Sequence, residues 1–193
     1  DLDVRAACVR TLLDLYLGSE DLDPIGNLTV QLLSDPYFEV RKNAVTGLGM
    51  LGVKDSFVAF LPMLESDNAD LRRLALQAVA RIDPEKAMDY AIEALDDQDF
   101  EVKVAAIRAL GTIGDARALP HLEPLLSQAM LDLHVVAALA NIQDPEVGRL
   151  LLDLLQVNRL RNSALNALAL HDRVAKDLVA EKLATTTEPK HVE

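Results

Sequence analysis

Apolar residues run along this chain in stripes that advance by three and four residues, the step that puts them on one face of a helix. Each stripe stops at a glycine or an acidic turn and begins again about thirty residues later. Aligned on one position, Asp3-Val4-Arg5, Glu39-Val40-Arg41, Asp70-Leu71-Arg72 and Glu101-Val102-Lys103 are each followed three residues on by a small side chain: Cys8, Ala44, Ala75 and Ala106. Met130-Leu131-Asp132 with Val135 and Arg159-Leu160-Arg161 with Ala164 are weaker copies. The anchors at 5, 41, 72, 103, 132 and 161 are spaced 36, 31, 31, 29 and 29 residues apart. Six copies in register are the signature of a repeat architecture.

Within a copy the first stripe, helix A, closes on glycine, the residue favoured just past a helix end, as in Leu48-Gly49-Met50-Leu51-Gly52 and Leu110-Gly111-Thr112-Ile113-Gly114. A second amphipathic segment, helix B, is predicted over 55–65, 84–95, 115–126, 144–155 and 172–183. Several of these open on Asp-Pro or Asp-Ala (Asp83-Pro84, Asp115-Ala116, Asp144-Pro145), where aspartate caps exposed amides and proline suits the first turn. Strand-like alternation is absent. A hairpin of two such short helices cannot bury both apolar faces, so the pattern predicts an all-α chain, an α-α superhelix of about six antiparallel pairs stacked as a solenoid. The expected repeats are 1–34, 35–66, 67–97, 98–127, 128–156 and 157–184 in one solenoid domain, followed by a disordered tail over 185–193.

The string Asp-x-x-x-Glu-Val-Arg-x-x-Ala-x-x-x-Leu-Gly-x-Leu-Gly over 35–52, with a near copy over 97–114, resembles the HEAT-like repeats of the phycobilisome-lyase type, and the resemblance covers 1 to about 184. It implies the solenoid fold and a family serving as bilin lyase subunits and adaptors. It also implies a ladder in which a loop aspartate and the arginine of helix A lock successive units: Asp35 with Arg41, Asp67 with Arg72, and Asp97 with Lys103. The fifth repeat departs from the pattern, with Ser127 and Asp132 at the two positions.

Composition narrows the function. The formal charge of -12 repels a phosphate backbone, which disfavours nucleic acid. No apolar run approaches the roughly 18 residues of a membrane span. A single cysteine, Cys8, makes no internal disulfide and fits a reducing compartment, so a cytoplasmic location is expected. The start, Asp1-Leu2-Asp3-Val4-Arg5, lacks a leader pattern and does not begin with Met, which points to a trimmed chain. Apolar positions of the first helix (Leu2, Val4, Cys8, Val9, Leu12, Leu13, Leu15, Tyr16, Leu17) wrap more of its circumference than a capping helix needs. Its outer edge is therefore expected to lie under upstream sequence or another subunit, whereas the last helix carries a polar face with Arg173, Lys176, Asp177 and Glu181.

Chemistry-bearing clusters are not apparent. The four histidines (His121, His134, His171, His191) are scattered, there is no His-Glu-x-x-His or Cys-x-x-Cys, and Gly47, Gly49 and Gly52 serve packing and capping, not phosphate binding. Hence no catalytic residue, metal or cofactor is expected, and the chain reads as a non-catalytic protein-protein interaction scaffold. A bilin lyase or phycobilisome-related subunit, and a regulatory HEAT-like domain of a larger protein, are the alternatives.

Two surfaces are candidates for the partner. Superposed B helices put Leu28, Phe60, Tyr90, His121, Leu150 and Leu178 in one row, which in solenoids of this kind lies on the concave face; Phe60, Met63, Tyr90 and His121 are the expected anchors. Residues 1–100 carry 19 acidic and 9 basic side chains, and much of the acid stands in the loops before helix A, including Glu65-Asp67-Asp70 and Asp96-Asp97-Asp99-Glu101. Stacking would align these loops along one edge, which suits a partner with a basic patch.

Overall fold

The structure, a computed structural model, describes residues 29–52 and 54–171, with Ala7 and Thr11 as isolated helical positions. The first-repeat helix with Cys8, the row positions Leu28 and Leu178, the last B helix and the 185–193 tail lie outside the described residues. The described residues form helices and turns without strands. The fold is an all-α, α-α solenoid built from helix pairs.

The chain divides into two compact units, Asp1–Ile113 and Gly114–Glu193, and the boundary falls inside the fourth repeat, just after its A helix. In the first unit the A helices are α1 (Phe38–Leu51), α3 (Ala69–Ile82) and α5 (Phe100–Ile113), and the B helices are α2 (Phe57–Leu64) and α4 (Pro84–Glu93). α3 is the hub: it packs on α1 and α5 within the A series and on α2 and α4 beside it. The core between them takes Leu48, Phe57, Phe60, Met63, Val79 and Ile82, which the three- and four-residue spacing turns inward.

Two glycines show what the A-helix pattern accomplishes. At Gly49 a Cβ would stand 3.1 Å from Ala78 Cα, so the missing side chain lets α1 lie against the backbone of α3. Gly52 adopts φ 65°, the left-handed conformation that closes α1, and its amide bonds back to the Leu48 carbonyl at 3.0 Å. Caps at the starts are equally local. Asn68 accepts from the Asp70 amide at α3, Asp83 from Lys86 at α4, and Asp99 from Glu101 and Val102 at α5.

The second unit holds α6 (Leu119–Leu122), α7 (Asp132–Leu139), α8 (Pro145–Leu154) and α9 (Arg161–Leu170). α9 packs on α7 and α8 over fully buried Leu139, Ile142, Leu151 and Leu160. Asp115 and Asp144 cap their segments through the amides of Arg117 and Glu146. One expected element is different: the B segment over 115–126 is not a single helix but a 3₁₀ turn (Ala116–Ala118), the short α6, and a second 3₁₀ stretch (Glu123–Ser127). Pro120 and Pro124 explain this, because neither can donate the i→i−4 bond and each ring crowds the turn before it.

An acidic cleft in the first unit as the candidate functional site

The site grows from the turns that precede each A helix. Asp35 Oδ1 accepts from the Tyr37 amide, Ser66 Oγ from the Asn68 amide, and Asp97 Oδ1 from the Asp99 amide, so one side-chain turn recurs in three repeats. Six residues further on, an arginine folds back onto the same turn. Arg41 Nη1 donates to the Asp35 carbonyl at 2.7 Å, Arg72 Nη1 to the Ser66 carbonyl at 2.6 Å, and in the second unit Arg161 Nε to the Leu155 carbonyl at 2.9 Å. These carbonyls end a B segment and lack helical donors, so the arginine ties helix A to the end of the preceding helix B.

Arg72 does more. Its Nε and Nη2 each reach an oxygen of the Asp97 carboxylate at 2.8 Å, a bidentate pair with both side chains largely buried. This corrects the expected rung. Asp67 stands one residue past the turn position, which Ser66 occupies, and the carboxylate that engages Arg72 belongs to the next repeat. Lys103 acts on Asp97 only through its charge. Arg41 displays the complementary gap: the turn one repeat ahead offers Ser66 and no carboxylate, and Arg41 Nε is buried with no partner among the described residues.

The Arg72 hydrogen bonds hold the Asp97 carboxyl below the ordinary carboxylate range, against the opposing effect of its burial, and Asp97 raises the Arg72 guanidinium in turn. A carboxyl depressed in the folded state stabilises fully above its unfolded pKa, about 3.9, and that contribution fades as pH falls through the folded value. Asp97→Asn is therefore expected to cost about 2 kcal/mol at pH 7, where the intact rung is charged, and progressively less below pH ~4. Urea titrations of both proteins across that range, at fixed ionic strength, check it; a cost independent of pH would contradict it.

Around this ion pair opens a cleft of about 810 Å³ whose lining, among the described residues, belongs to the first unit. Half-buried Leu64, Tyr90 and Ala94 give it apolar surface, backed by buried Leu76 and Val102. Glu65, Asp67, Glu93, Asp96 and Asp99 bring carboxylates to it, and Arg72, the one lining cation among the described residues, is already paired with Asp97. Among the described residues, no ion pair engages Glu65, Asp67, Glu93 or Asp96, all of them exposed.

The expected anchors separate. Tyr90 is half-buried, lines the cleft and tilts against Phe57 with ring centroids 6.1 Å apart. Phe60 is 0% exposed and Met63 is also buried, so both belong to the core and cannot contact a partner. Leu64, Leu71 and Leu74 from neighbouring turns join the same cluster. His121 is exposed on α6 of the second unit, and Leu150 is half-buried there. Among the described residues the equivalent positions thus differ in exposure: Phe60 is buried, Tyr90 and Leu150 are half-buried, and His121 is exposed.

Sequence reasoning missed one buried charge. In the second unit Asp132, at the ladder position that holds arginine elsewhere, is fully buried and ion-paired with Arg159 from the turn before α9. Leu133 N also donates to it at 2.6 Å, and Arg159 Nη1 reaches the Ala129 carbonyl. The rung is present with its charges exchanged. An aspartate at a basic anchor followed one repeat later by an unpaired-looking arginine was the available signal. Among the described residues, no group of three His, Cys, Asp or Glu side chains could hold a metal ion, and no helix is long and apolar enough to cross a membrane.

Repeated helix pairs joined by backbone-clamping arginines define an α-helical repeat protein. A HEAT-repeat family model matches residues 25–90 and 57–132, more than half of the chain, and the protein belongs to the HEAT-repeat family. Among solved structures, the complex of CpcE and CpcF of phycocyanin lyase from Nostoc sp. PCC7120 is similar at 25% identity and TM-score 0.63, over 82% of this chain and 70% of that one. An engineered protein is similar at 18% identity and TM-score 0.58, over 92% of each chain. A designed armadillo repeat protein in complex with the peptide (KR)4 is similar at 19% identity and TM-score 0.57, over 87% of this chain and 89% of that one. No curated protein matches the chain.

Proposed function

We propose that the protein is a non-catalytic interaction scaffold or adaptor that takes a protein partner on the acidic turn edge of its first unit. The observation that carries this reading is the cleft itself: about 810 Å³, partly apolar, and rimmed by Glu65, Glu93 and Asp96, which enter no ion pair among the described residues. Helix capping accounts for Asp99 but not for Glu65, Glu93 or Asp96, whose side chains make no hydrogen bond or ion pair among the described residues. Preformed walls keep the ordering cost of binding low, so a few contacts suffice for affinity. On this reading the chain works in the cytoplasm and its partner presents a basic patch. Charge reversal tests it: proteins retained by the wild type should be lost with Glu93→Lys/Asp96→Lys, whose thermal unfolding stays unchanged because both sites are exposed. Equal retention by the variant would remove the cleft from the account.

A second reading has its own support in the likeness to the phycocyanin lyase complex, which reaches 25% identity over 82% of this chain. As a bilin lyase or phycobilisome-related subunit, the protein would shift the visible absorption of free bilin mixed with apo-phycobiliprotein. A spectrum that stays that of free bilin would leave the scaffold. A regulatory HEAT-like domain of a larger protein is compatible with the same cleft.

A further inference from the structure

Resting on the scaffold reading, we propose that the first-unit cleft binds an extended, arginine- or lysine-bearing segment of a protein partner, with basic residues spaced i and i+3. The choice of occupant follows from what the cleft offers. A volume of about 810 Å³ lies in the range of sites that engulf whole ligands, and far exceeds what one ion fills. A metal ion is also disfavoured because no three carboxylates converge among the described residues. What remains is a wide anionic cleft with partly apolar walls. Arginine and lysine fit such a surface, since their methylene stems lie on apolar side chains while the charged head stays at the wet rim. Half-buried Leu64 and Ala94 can take the stems, and the half-buried ring of Tyr90 offers a face to a guanidinium. Arginine is preferred because its planar fork pairs with carboxylates and stacks on aromatic rings, whereas an ammonium does neither as well.

The spacing comes from the repeat. Acid reaches the cleft from two successive turns, Glu65 and Asp67 before α3, and Asp96 and Asp99 before α5. Because α3 packs directly on α5, these turns are one helix spacing apart, about 8–10 Å. A chain in the polyproline II conformation rises about 3.1 Å per residue with three residues per turn, so residues i and i+3 point the same way about 9 Å apart. A flat strand would place its same-side residues about 7 Å apart, short of the second turn. The Arg72–Asp97 pair links the two turns, since Arg72 also bonds to the Ser66 carbonyl, and its mutual neutralisation keeps Arg72 from repelling the ligand.

Two labelled peptides of identical composition decide the matter, one carrying Arg-x-x-Arg in a proline-rich background and the other with its arginines adjacent. Fluorescence anisotropy with the full chain should show the spaced peptide binding about tenfold more tightly, with both weakening as salt rises. Glu93→Gln/Asp96→Gln should weaken the spaced peptide by about tenfold. Equal affinities for the two peptides, or binding indifferent to that variant, overturn the assignment. If neither peptide binds while the chain still retains proteins in a manner sensitive to Glu93→Lys/Asp96→Lys, the ligand proposed here is wrong and the scaffold stands. If neither peptide binds and that retention is absent too, both fall.

Discussion

Phe60→Ala is expected to lower the stability of the first unit by about 4 kcal/mol, within the range for emptying an aromatic site in a well-packed core. Phe60 is 0% exposed and sits among Leu48, Met63, Leu74 and Val79, where the surrounding helices cannot close on the vacated space without moving α2 along α3. The matching control is Val58→Ala on the same helix. Val58 is 70% exposed, so its truncation should alter stability by less than about 0.5 kcal/mol. Urea denaturation followed by circular dichroism reads both. The comparison also separates core from recognition surface: a Phe60→Ala protein as stable as the wild type would return Phe60 to the list of partner contacts.

The same two residues show how far the sequence could be read. The repeat period, the glycine that closes α1 and the aspartates that cap α4 and α8 are local signals, each set within one turn of chain, and they reveal helix pairs directly. Burial of equivalent positions is set by neighbours. Phe60, Tyr90 and His121 share a register, yet Phe60 lies inside the first-unit core, Tyr90 stands at the cleft, and His121 lies on a proline-broken segment that exposes it. Superposition shows which residues correspond; it does not show what lies against them.

The cleft was legible only in part, for a related reason. The acidic loops are plain in the sequence, and their alignment follows from stacking. Period analysis cannot say whether a loop carboxylate engages the arginine of its own repeat or of the one before. The turn before α3 settles the matter in the structure: Ser66 takes the place of the acid, Arg72 bonds to its carbonyl, and the Asp97 carboxylate comes back across the repeat boundary. Pairing Asp67 with Arg72 inside one repeat hides the contact between repeats, because the acid that engages Arg72 stands 25 residues further on.

Arg159→Ala is expected to cost the second unit about 3 kcal/mol, because it leaves the carboxylate of Asp132 buried without its counter-charge. The size of the effect depends on asymmetry. Arg159 is about half exposed, so the arginine alone is worth little, but Asp132 is 0% exposed and has already given up its hydration. Leu133 N stays bonded to Asp132 Oδ1 and offsets only part of the loss. Replacing both partners by apolar residues, Asp132→Leu/Arg159→Leu, removes the buried charge along with its partner and should recover most of the deficit, the two changes being strongly non-additive. Exchanging them, Asp132→Arg/Arg159→Asp, recovers less, because Asp132 occupies the first turn of α7, where the helix dipole favours an anion and opposes a cation. Equilibrium unfolding of the two single variants and the two double variants closes the cycle. A loss below about 0.5 kcal/mol for Arg159→Ala would place this pair with ordinary surface ion pairs, and the exchanged rung would then have no part in holding the fifth and sixth repeats together.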